Sequence, residues 1–136
     1  MAKGRLSGRS VSGVSVPVPI EALQEHIDRF AGPAFLITAS ASGAVHVVSA
    51  APRVEGDILR VGAGRTTRAN LAANPAATLL WPCSPDGQYG LIVDASATAV
   101  SGDGTEDDVA VTPTRAVLHR LVDAPGDGPS CIPIEA

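Results

Sequence analysis

The chain has 136 residues, 45% of them hydrophobic, which is enough for the core of one domain, and a second is not expected. Its formal charge of −4 argues against nucleic acid or anionic membrane as a general partner, because both need a surplus of Lys and Arg. The longest apolar runs fall far short of the roughly 20 residues that span a bilayer. The two cysteines are too few for a disulfide framework and lack partners at metal-ligand spacing, so a cytoplasmic protein with reduced thiols and no metal is expected.

Residues 1–15 are small and polar, and no apolar stretch follows Lys3, Arg5 and Arg9 to form a signal peptide. They bury too little to offset their ordering entropy, and a mobile tail is expected. Over residues 20–30 the apolar positions Ile20, Leu23, Ile27 and Phe30 recur at helical spacing with Glu21 and Glu25 early, and Gly32-Pro33 ends the helix. Residues 34–39 and 45–54 read as the two strands of a hairpin about Ser40-Ala41-Ser42-Gly43. In the second of these strands the alternation of His46 with Val45 and Val47 is expected to turn the valines inward and the imidazole out.

A turn at Glu55-Gly56-Asp57 leads to a third strand at Ile58, Leu59 and Val61. Thr66 or Thr67 is positioned to cap a short helix that ends at Asn74-Pro75. Residues 77–81 and 89–101 form two more strands. The second has Leu91, Val93, Ala95, Ala97 and Ala99 on one face, small enough to admit another surface closely. Residues 109–121 supply a last strand, in which Pro113 fits an edge or a bulge. The expected domain, residues 16–122, is thus a mainly β (α+β) six-stranded antiparallel barrel with one helix before it and one inserted, and residues 123–136 read as a loop or tail.

Arg53, Arg60, Arg65 and Arg68 fall close together in an acidic chain. A helix start offers unpaired N–H groups and the positive end of the helix dipole. Thr66 and Thr67 would add hydroxyl donors there, and Arg65 and Arg68 charge, so a phosphate would be well held. A capped helix with two surface arginines explains the same residues and is commoner.

The order of segments carries more information. Ala34-Phe35-Leu36-Ile37-Thr38-Ala39, Gly56-Asp57-Ile58-Leu59, Asn70-Leu71 and Asn74-Pro75 followed by Ala77-Thr78-Leu79-Leu80-Trp81-Pro82 resemble the pyridoxamine 5′-phosphate oxidase-like split β-barrels. The segment from Val109 to Arg120 is similar to an actinobacterial subgroup of that superfamily. The resemblance implies a homodimer that binds FMN, or a deazaflavin relative, in clefts at the shared interface. It also implies that the phosphate is held by a run falling on Arg65, Thr66 and Thr67, with Arg68 close by, and by a basic residue near Arg53. Ser49 and Thr38 would face the ring edge or ribityl chain if the second strand lines the cofactor.

The chain departs from that pattern in carrying Thr66-Thr67 where an Arg-Lys pair is usual, and Val61 or Gly62 where a Thr is usual. It also lacks the C-terminal substrate contacts of the pyridoxal-phosphate-forming enzymes, so vitamin B6 oxidation is not expected. Three readings remain open at this level: a flavin- or deazaflavin-dependent oxidoreductase, a dimeric accessory protein that has lost its cofactor, and a haem-binding barrel. His26, His46 and His119 are each explained by structural roles, with His119 the outside candidate for a cleft position.

Overall fold

The computed structural model describes residues 20–30, 32–100 and 108–135. The expected tail over 1–15 lies outside them. Helix α1 spans Ile20–Arg29 and buries Ile20 and Leu23, with Glu21 in its first turn and Arg29 in its last, as the helix dipole favours. The buried Phe30 follows it, and Gly32 takes a positive φ of 88° just before Pro33, the pairing that stops a helix.

Among the described residues eight strands follow: β1 Ala34–Ala39, β2 Val45–Ala50, β3 Arg53–Glu55, β4 Ile58–Gly62, β5 Ala76–Trp81, β6 Tyr89–Ala99, β7 Asp108–Arg120 and β8 Cys131–Ile134, with helix α2, Arg65–Ala73, between β4 and β5. All pair antiparallel in the order β2-β1-β5-β6-β7-β4-β3, and β8 adds to β7. β2 and β3 therefore stand at opposite ends of the strand order while only Ala51 and Pro52 join them. The three Cα steps from Ala50 to Arg53 reach about 10 Å, so the sheet has to curl until its ends meet. The result is a split β-barrel.

This closure explains why eight strands stand where six were expected. The single run expected over 45–54 breaks at Ala51-Pro52, where the chain leaves its partner β1 and takes up β4. The eighth strand corrects the reading of 123–136 as loop or tail. Ile132 and Ile134 alternate with Pro133, Ile134 is buried, and the strand pairs with Ala116 to His119. The Gly- and Pro-rich loop before it is tied down. Arg120 donates to the carbonyls of Ala124 (3.0 Å), Pro125 (3.1 Å) and Gly126, and the Tyr89 hydroxyl donates to that of Pro129 at 3.0 Å.

The long β6–β7 ladder slips between Asp94 and Ala95, where Thr114 bulges out beside Pro113. Pro113 thus occupies a bulge, one of the two settings expected for it, but it is fully buried rather than on an edge. The core is the inner face of the barrel: Leu36, Leu59, Val61, Leu79, Leu91, Val93, Val109 and Val111 are all buried. Ala95 and Ala97 join them and Ala99 is exposed. The surface that approaches β6 is α2 of the same chain.

Candidate functional site

Gly64, not Thr66 or Thr67, is the N-cap of α2, and it makes no side-chain cap hydrogen bond. A residue without side-chain oxygen leaves the first N–H groups of the helix without a side-chain acceptor. The first turn holds no acidic residue, and Arg65 and Thr66 are exposed there. Thr67 is buried and Arg68 half-buried. Four of the expected anion-site residues thus sit in one helical turn, and Arg65 and Thr66 reach solvent.

The Asn-Leu and Asn-Pro pairs have structural work. Asn70 is buried and donates its side-chain N–H to Thr38 Oγ1 at 3.1 Å, which pins α2 onto β1. Leu71 is buried in the core, and the Asn74 N–H donates to the Asn70 carbonyl at 2.7 Å to close the helix. Thr38 is consequently buried, and its hydroxyl is engaged by Asn70.

Arg53 lies on β3 opposite Arg60 of β4, and both guanidinium groups donate to Asp108 Oδ2, at 3.1 and 3.2 Å. Arg60 also donates to Glu55 at 2.7 Å. The Arg60 and Asp108 side chains are only 10% and 13% exposed, whereas Arg53 is 58% exposed. Asp108 pairs with Gly62, two residues before the α2 cap, so this network borders the helix start. The expected phosphate ligand Arg53 is therefore already shared with a carboxylate. No sequence signal links residues 55 positions apart.

Ser49 is exposed on β2 opposite Phe35, at the other end of the strand order from β4. The faces of β2 are reversed relative to the expectation. Val45 and Val47 are 69% and 53% exposed, while His46 is half-buried on the face that carries Ala50 inward. Valine fits either face of a strand by propensity, and only the curl of the barrel decides between them. Directly opposed residues share a face, so Val47, Ile37, Thr78 and Asp94 form one row of the outer surface, and Ser49, Phe35, Leu80 and Ile92 form the next.

A cleft of 540 Å³ opens on this surface among Ile37, Val45, Asn74, Thr78, Asp94 and Thr114. Asp94 accepts from Thr78 Oγ1 at 3.0 Å and faces Arg115 at 3.5 Å. His119 is exposed on the outer face, paired with Gly90 on one side and Cys131 on the other. Among the described residues no group of His, Cys, Asp and Glu is placed to hold a metal ion. No described helix is long and apolar enough to cross a membrane.

No protein-family model matches the chain. Among solved structures, HupZ of Group A Streptococcus superposes with a TM-score of 0.57 at 17% identity, over 77% of this chain and 98% of its own. HutZ, the haem storage protein of Vibrio cholerae, superposes with a TM-score of 0.51 at 15% identity, over 72% and 91%. At such identities the likeness is one of fold. Two sequences are much nearer: uncharacterized protein Mb0449c of Mycobacterium bovis and uncharacterized protein MT0457 of Mycobacterium tuberculosis. Each is 42% identical over 112 residues, which cover 71% of this chain and 75% of theirs. The chain belongs to the family of these two mycobacterial proteins, and it folds as a split β-barrel.

Proposed function

We propose that the chain is a homodimeric oxidoreductase of the pyridoxamine 5′-phosphate oxidase-like superfamily that uses FMN or a deazaflavin coenzyme. The observation that carries this reading is the open N-terminus of α2, with Gly64 as a cap that supplies no acceptor and Arg65 exposed in an acid-free first turn. The first N–H groups and Arg65 would take the cofactor phosphate, with the Thr66 hydroxyl as a further donor. When bound, the ring supplies hydride chemistry, and the protein supplies position and exclusion of water. The outer sheet face, with Phe35, Ile37, Val45 and Val47, suits a second protomer, because apolar side chains there need cover that the single chain does not give.

One observation favours a second reading, a dimeric accessory barrel without a tight cofactor: Asp108 holds the guanidinium of Arg53. Separate titrations of the protein with FMN and with deazaflavin coenzyme, followed by absorbance and fluorescence, decide between the two. Saturable binding that weakens about tenfold in Arg65→Ala supports the oxidoreductase reading. Absence of binding by either coenzyme refutes it and leaves the accessory barrel. A Soret band in purified protein would instead favour haem, the ligand of HutZ by its name.

A further inference from the structure

A second cleft, of 340 Å³, lies between the C-terminal end of α1 and the β5–β6 loop. It is at the small end of ligand sites, which run from roughly 300 to 1,000 Å³. Its apolar wall is the buried Phe30 with the half-buried Tyr89 and Leu118. The Tyr89 ring is held in place by its hydroxyl bond to Pro129 and by Arg120, 5.9 Å above the ring.

The polar walls are of opposite character. On one side Arg29 Nη2 donates to His26 Nδ1 at 3.2 Å. Burial, with help from the Arg29 charge and against that of Glu25, moves the imidazole below its ordinary range, and because Nδ1 accepts from Arg29 the neutral ring carries its proton on Nε2, as a donor. On the other side the Ser84 hydroxyl and the Gln88 N–H both donate to Asp86 Oδ1, at 2.6 and 3.1 Å. These two bonds, in that order, hold the Asp86 carboxyl below the usual carboxylate range. Both go to one oxygen, Oδ1, and the Asp86 backbone N–H adds a smaller contribution to the carboxylate. Arg29 is near enough to favour the ionised carboxylate, yet the two side chains form no ion pair among the described residues.

We propose that this cleft binds a free α-amino acid with an aromatic or branched apolar side chain. Its carboxylate would lie on Arg29 and the His26 Nε2–H, its ammonium on Asp86 Oδ2, and its side chain on Phe30, Tyr89 and Leu118. A donor wall facing an acceptor wall across a small apolar floor is complementary to a zwitterion, and either half alone would leave one wall unanswered. This assignment is independent of the coenzyme reading.

Isothermal titration of the full chain with L-phenylalanine, phenylacetate and phenethylamine tests it. L-Phenylalanine should saturate with Kd near about 1 mM, and each half-ligand should bind at least about tenfold more weakly. Arg29→Gln should weaken L-phenylalanine and phenylacetate but spare phenethylamine; Asp86→Asn should do the reverse for the two half-ligands. Both side chains are exposed, so neither change threatens the fold. Failure of L-phenylalanine to saturate by about 20 mM, equal binding of phenylacetate and L-phenylalanine, or insensitivity to both substitutions would overturn the proposal.

Discussion

Asp108→Asn should lower stability and raise anion affinity at once. The wild-type carboxylate bridges Arg53 and Arg60 through one oxygen, and Arg60 and Asp108 are both nearly buried. Removing one partner of a buried pair costs about 3–5 kcal/mol. Here Arg60 keeps its 2.7 Å bond to Glu55 and the amide keeps the shape of the acid, so about 2–3 kcal/mol is expected. For a chain of this size that corresponds to a fall in Tm of about 10 °C, read by thermal or urea denaturation. The same change releases Arg53, which is exposed enough to turn toward the start of α2. One charge-assisted contact to phosphate, discounted for exposure, would tighten FMN or deazaflavin coenzyme about five- to tenfold in a fluorescence titration. Arg53→Ala should by itself move stability by less than about 1 kcal/mol and should abolish the gain in the double variant. An unchanged melting midpoint would refute the account of the network. Lower stability with unchanged coenzyme affinity would remove Arg53 from the phosphate site.

Asn70→Ala should destabilise by about 1–3 kcal/mol in urea titrations, since it strands the buried Thr38 hydroxyl. In a double-mutant cycle with Thr38→Val the coupling should be about 1 kcal/mol, and additivity would show that the contact does not pin the helix. Gly90→Ala would place a Cβ 3.1 Å from the Pro82 carbonyl and 3.3 Å from that of Trp81, both backbone atoms that yield little. A cost of about 1–3 kcal/mol is expected by the same titration, and a neutral result would mean that the β5–β6 connection is freer than its geometry implies. Acidification should weaken the fold through His26. Its folded pKa lies below the ordinary 6.5, so the unfolded chain binds the extra proton first, and stability is lost as pH falls from about 7 through the folded value. His26→Gln should flatten that part of a stability–pH curve; an unaltered slope would place the proton elsewhere. If the proposed dimer uses the outer face of β2, Val47→Glu should leave only monomer in sedimentation velocity, because a two-fold interface would face the new charge with its own copy.

Much of the fold was legible where one face of an element is polar. α1 shows its helical stripe, and β6 shows Leu91, Val93, Ala95 and Ala97 as a buried row. β2 was harder, since Val45, Val47 and Val48 make both of its faces apolar, and His46 alone suggested the wrong one. β8 was hidden by its surroundings: only Ile132 and Ile134 mark it, after a stretch whose Gly, Pro and Asp content reads as loop. The helix that carries the candidate anion site was found, but its cap was misplaced because Gly is only modestly enriched at helix starts, where hydroxyl and amide side chains are commoner. Asp108 was out of reach for a different reason. Its tie to Arg53 depends on β7 docking beside β4, a long-range pairing with no local trace.

The late strand β8 also bears on how this barrel can grow. A sheet edge is a template for strands of other chains, and Pro133 stands in the middle of β8 without an N–H to offer. Addition of a further strand is blocked on that flank. In the proposed dimer, association uses the broad outer face of β2, β1, β5 and β6, where contact buries side chains and extends no ladder. Assembly by that face can stop at a pair.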